Sequence, residues 1–227
     1  MGIVLKQSFN NTLILFLGFA IGGINVLFLF TNFLHEDYFG LITFLLSAAN
    51  IIMPLLVFGI HQTIIKYYSS YKNKVEKDGF LIVTLILPLV VIIPLAFIGV
   101  FLYESIANWL SAENPLIKNY SYLIFIIAIF IGYFEVFYSW TKVQFNSVFG
   151  NFIKEIFTRI CTSFLLVAVY FNWISNEQFI YAIVVVYGVR TVIMKLYAIY
   201  IYMPKLVLKL PSNLKEILSF SFYIIVS

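Results

Sequence analysis

The chain has 227 residues, of which 63% are hydrophobic and only 11% are charged. A soluble domain carries about 25% charged residues, so this composition excludes a soluble globular domain and indicates an integral membrane protein. The net charge of +4 would suggest nucleic acid in a soluble protein. Here the cations lie in particular loops, and we expect no nucleic-acid partner. A single cysteine, Cys161, lies in an apolar run and allows no disulfide framework.

Hydropathy predicts an all-α fold that crosses the bilayer. A helix needs about 20 mostly apolar residues to span the hydrocarbon core. The segments that meet this length are 9–30, 39–64, 80–103, 119–141, 156–174 and 179–203. A seventh segment reaches only half a span at Ser227, so we expect the chain to be the N-terminal piece of a longer protein. The expected organisation is a six-helix transmembrane lobe over 1–204, a cytoplasmic linker over 205–216 and the start of helix seven over 217–227.

The charges of the short loops predict the orientation of the chain. On one side the cations are Lys6, Lys66, Lys72, Lys74, Lys77, Lys142, Lys154, Lys205, Lys209 and Lys215, with Arg159 just inside the fifth helix. The opposite loops carry Lys118, Glu36, Asp37, Glu104, Glu113 and Glu177. Because cytoplasmic loops are rich in Lys and Arg, we expect a cytoplasmic N-terminus. The outer stretch "ESIANWL" is expected to form a small interfacial helix of its own.

The first predicted helix carries a face of small and amide side chains. Gly18 and Gly22 form a G-x-x-x-G pair, and Asn11 and Asn25 lie on the same side of the helix. This pattern is typical of close packing between membrane helices, where an amide can hydrogen-bond across the contact. Asn25 is also a candidate for lining a cavity.

Ionisable residues lie inside the predicted spans. Glu135 lies toward the cytoplasmic side of the fourth helix, Arg190 near the midpoint of the sixth, and Lys195 further toward the cytoplasm. Insertion scales assign about 2.5–3.5 kcal/mol to such a residue at the bilayer centre. Arg190 is therefore expected to face the protein interior, a water-filled cavity or a partner anion. Lys195 could instead extend to the cytoplasmic headgroups, and Arg159 could be an interfacial anchor.

These charges predict a site for an anion. Glu135 could form a structural ion pair with Arg190 or Lys195, but positions 190 and 195 are separated by about 140° around a helix. One carboxylate is therefore poorly placed to neutralise both cations, and the residual charge suits an anionic substrate in a wet cavity. Glu135 is the candidate carrier of a coupling proton or sodium ion. Tyr187 shares a face with Arg190 and could contact a sugar, although membrane packing explains it equally well.

The sequence contains no pattern for a metal, a cofactor or a nucleotide. His35 and His61 lie far apart and have no cysteine or carboxylate cluster at ligand spacing, so no metal site is expected. The P-loop, the dinucleotide fingerprint and the G-x-S-x-G motif are all absent from the sequence. We therefore expect no cofactor and no catalytic residues, and we interpret the chain as a non-enzyme.

Several blocks of the chain resemble a known family. They are "YFGLITFLLSAANIIMPLLVFGIHQTIIKYYSSY", "WTKVQFNSVFGNFIKEIFTRI" and "PKLVLKLPSNLKEILSFSFYIIVS". They are similar to the second-helix block, the link between helices four and five, and the link into helix seven of the polysaccharide biosynthesis proteins. These proteins are the O-antigen and capsule-unit flippases of the MOP (MATE-like) exporter superfamily. The resemblance extends over the whole chain and is one of topology and texture rather than of an invariant motif.

The resemblance implies a transporter of two six-helix lobes around a central cavity, of which this chain is the first lobe and the start of the second. It implies alternating access that moves an undecaprenyl-pyrophosphate-linked oligosaccharide from the inner to the outer leaflet of a bacterial plasma membrane. Arg190, Lys195 and Tyr187 are the positions that could serve in the cavity. An arginine-rich first helix, typical of flippases for the peptidoglycan precursor, is absent.

Two other functions remain possible for a chain with these features. A multidrug exporter of related fold would carry cationic cargo and need unpaired acidic residues in its cavity, for which only Glu135 qualifies. A membrane polymerase or glycosyltransferase of the same pathway would need a carboxylate or histidine constellation and large loops. The short loops of this sequence disfavour the enzyme.

Overall fold

The computed structural model describes residues 2–112, 114–207 and 210–226. Met1, Glu113, Lys209 and Ser227, which enter the predictions above, lie outside the described residues. All regular secondary structure in the described ranges is helical, which confirms the all-α class. Within those ranges, five helices are long and apolar enough to cross a membrane: Leu5–Phe33, Glu36–Leu56, Lys74–Leu110, Tyr122–Lys142 and Asn176–Ile201. The protein is therefore a multi-pass membrane protein.

The first helix, α1, contains a change of helical pitch. It runs as a regular α-helix over Ile3–Ile24, widens into a π-turn over Asn25–Phe30 and ends with Thr31–Phe33. A π-turn adds one residue to a helical turn and often marks a functional region. Here it begins at Asn25, the residue singled out in the small-residue face.

The second predicted span is interrupted in the structure. Helix α2 covers Glu36–Leu56 and helix α3 covers Ile60–Tyr67. Between them, Phe58 and Gly59 have φ of 51° and 60°, the left-handed conformation that ends a helix. The Gly59 N–H donates to the Pro54 carbonyl at 2.9 Å. The interruption is thus a hydrogen-bonded turn that sets α3 apart from α2.

The third span is one long helix, α4, over Lys74–Leu110. Its 37 residues extend about 55 Å at 1.5 Å per residue, well beyond a hydrocarbon core of about 30 Å. Pro88 and Pro94 lie within it without ending it. The expected separate helix "ESIANWL" is wrong, because this stretch is the last part of α4.

Helix α5, Tyr122–Lys142, is the centre of the bundle. In its most apolar window 72% of residues are buried, against at most 33% in the other candidate spans. It follows a short helix over Leu116–Tyr120. It packs against α2, α3 and the helix Asn176–Ile201, which explains why a charged residue on α5 lies in the protein interior rather than in lipid.

The fifth predicted span is a composite helix, α6. It begins as Val148–Phe152, passes through a second π-turn over Ile153–Phe157 and continues as Thr158–Tyr170. The charges of Lys154, Glu155 and Arg159 fall in its first half. With these three charges near its middle, α6 is not among the candidate membrane spans of the described residues. That it crosses the bilayer stays a prediction.

The remaining helices are α7, Asn176–Ile201, and α8, Leu214–Val226. Helix α7 begins with a capping box in which Ser175 and Gln178 bond each other's backbone N–H groups. Helix α8 packs on α3, where the buried hydroxyls of Thr63 and Ser221 lie 2.7 Å apart. Before α8, the Tyr71 hydroxyl donates to Asn213. Burial raises the pKa of Tyr71 to about 12, so this phenol stays protonated at neutral pH.

The buried apolar side chains form two clusters. The first cluster joins α2, α5 and α7 and includes Leu45, Ile127 and Phe179. The second cluster includes Val57 and Trp140. Met53 and Tyr133 pack against both clusters. The polar residues described next lie near this boundary.

Candidate functional site

A cavity of about 520 Å³ opens between α2, α3, α5, α6 and α7. Its lining is rich in polar and charged side chains. The lining residues are Asn50, Met53, His61, Gln62, Ile131, Glu135, Lys142, Lys154, Glu155, Thr158, Arg159, Tyr187 and Arg190. Four of them are cationic and two are carboxylates, which leaves an excess of two positive charges when the histidine is neutral.

The two carboxylates of the cavity are each paired with a lysine or arginine of α6. Glu135 Oε1 lies 2.6 Å from Lys154 Nζ, and Glu155 Oε2 lies 2.9 Å from Arg159 Nη1. The side chain of Glu135 is only 9% exposed, so its charge needs this partner. Both carboxylates are therefore occupied by cations other than Arg190.

Arg190 is held by aromatic rings instead of a carboxylate. Its guanidinium carbon lies 4.1 Å from the ring centre of Tyr187 and 4.8 Å from that of Phe134. Its Nη1 donates to Thr158 Oγ1 at 3.5 Å. Arg190 is 5% exposed, and no carboxylate of the described residues lies within 4.0 Å of it. Ring faces attract a cation without cancelling its charge, so Arg190 keeps its charge available to a ligand.

A second cation of the cavity also lacks a carboxylate. Lys142 is the last residue of α5 and is half-buried. Its Nζ lies 3.9 Å from the ring centre of Tyr138, and no described carboxylate lies within 4.0 Å. The excess positive charge of the cavity therefore resides on Arg190 and Lys142.

The small-residue face of α1 positions Arg159. A Cβ added to Gly18 would lie 2.5 Å from Arg159 Nη1, and one added to Gly22 would lie 2.9 Å from its Nε. The Asn25 side chain donates to the Arg159 carbonyl at 2.9 Å and accepts from Ser163 at 2.6 Å. The glycines thus leave room for a guanidinium rather than only for a helix backbone.

The structure brings together some of the predicted site residues and not others. Arg190, Tyr187 and Glu135 all line the cavity, although Glu135 pairs with Lys154 rather than with Arg190 or Lys195. Lys195 is exposed and is not among the lining residues. Asn25 is buried at 3% exposure in its contact with α6 and also does not line the cavity.

Sequence reasoning missed several lining residues. Lys142 and Lys154 were attributed to a cytoplasmic loop, but α6 begins at Val148 and places Lys154 inside a helix. The π-turn that carries Lys154 and Glu155 has no recognised sequence signature. His61 and Gln62 follow the turn at Gly59, and Pro54 and the "FG" before them are local signals that could have pointed to a break.

No metal centre emerges from this arrangement. Nowhere in residues 2–112, 114–207 and 210–226 do three or more His, Cys, Asp or Glu side chains gather in a group that could hold a metal ion. Each carboxylate of the cavity instead has a cationic partner.

The fold and the cavity define a multi-pass membrane protein with a positively charged chamber inside its helical bundle. A family model for polysaccharide biosynthesis proteins matches residues 5–227. The chain therefore belongs to this family of MOP-type flippases, which confirms the resemblance noted in the sequence and supports a general role in polysaccharide biosynthesis at a membrane. Comparison with curated proteins and with solved structures gives no significant match.

Proposed function

We propose that the protein is a flippase that moves a lipid-linked oligosaccharide across the plasma membrane, and that its cavity receives the pyrophosphate of that substrate. The observation that carries the proposal is Arg190. This cation lines the cavity, is 5% exposed and has no carboxylate within 4.0 Å among the described residues. In this proposal an anionic ligand supplies the negative charge that balances Arg190.

Desolvation explains why the headgroup needs such a chamber. An ionised group taken into hydrocarbon without a partner loses many kcal/mol of solvation, so a pyrophosphate cannot cross the bilayer unaided. The lipid tail is apolar and can stay in the membrane. A cavity with an excess of two positive charges offsets the charge of the pyrophosphate, and hydroxyl and amide side chains such as Thr158 and Gln62 suit the polar remainder of the headgroup.

The transport cycle in this proposal is alternating access. The chain supplies an N-terminal six-helix lobe over 1–204, a linker over 205–216 and the start of helix seven, and a second lobe completes the central cavity. With the N-terminus in the cytoplasm, the inner ends of α5 and α3 and the first half of α6 lie toward the inner leaflet. The chamber then lies where a substrate built on the cytoplasmic side would enter.

Energy input is assigned to Glu135 as the carrier of a proton or sodium ion. Its carboxylate is nearly buried and paired with Lys154. Neutralising Glu135 would release the ammonium group of Lys154 into the cavity and raise the excess positive charge from two to three. Ion binding at Glu135 would thus favour the substrate-bound state through charge alone.

The positive excess also separates this proposal from the alternatives. A multidrug exporter with cationic cargo would need free carboxylates, whereas both carboxylates of this cavity have cationic partners. A polymerase or glycosyltransferase would need an acid, a base or a metal set free to react. The described lining offers paired carboxylates and one histidine, which favours binding over catalysis.

The test combines export with binding in the full chain. Arg190→Gln removes the charge and keeps a hydrogen-bonding side chain, so surface glycan export and binding of inorganic pyrophosphate should both be lost. Arg190→Lys restores the charge without the planar donor geometry and should recover part of the binding. Lys195→Gln is the matched control, because Lys195 is on the same helix but exposed outside the cavity lining.

The outcomes separate function from folding. Each variant is first checked for membrane insertion and for its thermal unfolding midpoint in detergent. Normal export by a well-inserted Arg190→Gln protein would remove Arg190 from the mechanism. Equal losses in Arg190→Gln and Lys195→Gln would mean that the effect comes from overall charge rather than from the cavity.

A further inference from the structure

Two buried nitrogen atoms of cavity-lining residues have no hydrogen-bond partner among the described residues. Nδ1 of His61 and Nε of Arg190 are both buried, and neither has a partner within the described part of the chain. Both residues line the same cavity, although they come from different helices, α3 and α7. The other buried side-chain atoms without a partner in that part of the chain belong to Asn11, Ser139 and Trp140, and none of these residues lines the cavity.

Unpartnered buried nitrogens of this kind are uncommon. Most buried polar side-chain atoms in folded proteins have a hydrogen-bond partner, and an exception calls for an explanation such as strain, a functional role or an ion. The guanidinium N–H is an obligatory donor, and an imidazole donates from Nδ1 in one neutral tautomer and whenever it is protonated. Two such donors on residues that line one cavity match a ligand that offers several acceptor oxygens.

Protein groups near His61 do not fill this role. Glu135, a carboxylate of the same cavity, is engaged with Lys154 at 2.6 Å, and Glu155 is engaged with Arg159. The turn at Gly59 fixes His61 at the start of α3, where the side chain is half-buried. The imidazole is therefore held at the wall of the cavity without an internal acceptor for Nδ1.

We infer that His61 is a second anion contact of this cavity, donating from Nδ1 to an oxygen of the same oxyanion that Arg190 binds. This inference rests on the proposed function, since it adds a residue to the site that Arg190 defines. It makes α3 part of the substrate-binding wall. In this inference the turn at Phe58 and Gly59 contributes to ligand binding, because it determines how His61, at the start of α3, is oriented.

Substitutions can separate hydrogen bonding from packing. The amide nitrogen of an asparagine at position 61 can take the place of Nδ1, whereas leucine fills similar space without a donor. His61→Leu should weaken binding of inorganic pyrophosphate about tenfold or more, as expected for the loss of a hydrogen bond to a charged ligand. His61→Asn should stay within about threefold of the wild type on the same scale. His35→Leu is the control, since His35 is exposed, does not line the cavity and lies 3.3 Å from Asp37.

A second measurement needs no substitution of His61. Diethyl pyrocarbonate modifies accessible imidazole nitrogens, and mass spectrometry reports each histidine separately. Pyrophosphate should slow modification of His61 in the wild-type protein and leave His35 unchanged. In Arg190→Gln the protection of His61 should disappear, because the anion no longer binds beside it.

The outcomes distinguish this inference from the proposed function. If the wild-type protein binds no pyrophosphate, or if Arg190→Gln binds it normally, the proposed function fails and this inference fails with it. If Arg190→Gln loses binding while His61→Leu keeps it and pyrophosphate leaves His61 modification unchanged, only the inference about His61 is overturned. Equal losses in His61→Leu and His61→Asn would likewise overturn the donor assignment.

Discussion

The carboxylate of Glu135 lies 2.6 Å from the ammonium group of Lys154, while the guanidinium of Arg190, on the wall of the same cavity, contacts two ring faces and a hydroxyl. Glu135 is thus neutralised by a lysine of α6, the next long helix along the chain, and not by Arg190 of α7. Because Lys154 and Arg159 take the two carboxylates, Arg190 and Lys142 are the cavity cations that carry the excess positive charge.

Substitutions within the Glu135 and Lys154 pair should change anion affinity in opposite directions. Glu135→Gln raises the positive excess of the cavity, and Lys154→Gln lowers it. A unit charge at about 6–10 Å with an effective dielectric near 20 contributes about 1.5–3 kcal/mol before screening, so we expect affinity for inorganic pyrophosphate to change by about tenfold each way. Titration calorimetry at low salt measures both, and the differences should shrink at high ionic strength.

The double variant provides the control for that prediction. Glu135→Gln with Lys154→Gln restores the original excess charge, so its affinity should return close to that of the wild type. Weaker binding in both single variants would instead indicate that the ion pair acts by holding α5 and α6 in position.

Substitution of Gly18 should disturb the contact between α1 and α6. An added Cβ would lie 2.5 Å from Arg159 Nη1 and 3.0 Å from the Glu155 carbonyl oxygen, so the side chain and part of the backbone must move. Gly18→Ala is expected to destabilise the protein by about 1–3 kcal/mol, as overpacking does. Gly23→Ala is the matched control on the same helix, because its Cβ would meet no atom within 4 Å. Thermal unfolding in detergent should show a lower midpoint for Gly18→Ala alone.

The ring of Tyr187 should matter for Arg190, and its hydroxyl should not. The guanidinium carbon lies 4.1 Å from the ring centre, and a desolvated contact of this type contributes about 2 kcal/mol. Tyr187→Phe keeps the ring and should bind pyrophosphate like the wild type. Tyr187→Leu removes it and should weaken binding several-fold, because the guanidinium loses the surface that orients it. If Tyr187→Phe alone lost binding, the hydroxyl would be the contact, as expected for a residue that binds sugar.

The sequence predicted the membrane class and the positions of most helices because these depend on composition and on long apolar runs. The family followed from the resemblance of particular sequence blocks, and a family model confirms it. The sequence also predicted that Arg190 would face the protein interior or a cavity, since a charged residue in such a run needs an unusual environment, and Arg190 is buried and lines the cavity. It did not predict the pairing of Glu135 with Lys154. That contact depends on where α6 begins and on a π-turn over Ile153–Phe157, neither of which leaves a periodic pattern.

The glycine pair of α1 illustrates a second limit. The G-x-x-x-G spacing indicated a close contact with a neighbouring helix, and Gly18 and Gly22 do face α6. The spacing could not indicate that the group filling the space is the guanidinium of Arg159. Which side chain enters such a space depends on the rotation of the partner helix, and that rotation is set by packing over the whole bundle.

The turn at Gly59 should be the most sensitive glycine position in the contact between α3 and α8. Gly59 has φ of 60°, and an added Cβ would lie 2.5 Å from the Ser221 carbonyl oxygen. Left-handed backbone costs a non-glycine residue about 1–2 kcal/mol, and the contact with a backbone oxygen cannot be relieved by rotating a side chain. Gly59→Ala should therefore lower the thermal unfolding midpoint and increase proteolysis of the linker before α8.

Gly40→Ala is the control for this turn, because Gly40 lies within helix α2 and its Cβ would lie 3.9 Å from Asn114 Nδ2, an ordinary contact. Alanine in a helix interior stabilises by about 0.5–1 kcal/mol relative to glycine, so Gly40→Ala should match or exceed the wild-type midpoint. Gly59→Ala should lose stability at α8 first, since the Thr63 and Ser221 hydroxyls are only 2.7 Å apart and separate when α8 moves away. Unchanged proteolysis of the linker in Gly59→Ala would mean that α8 is held by its apolar contacts, such as the buried Ile217, and not by its fit against this turn.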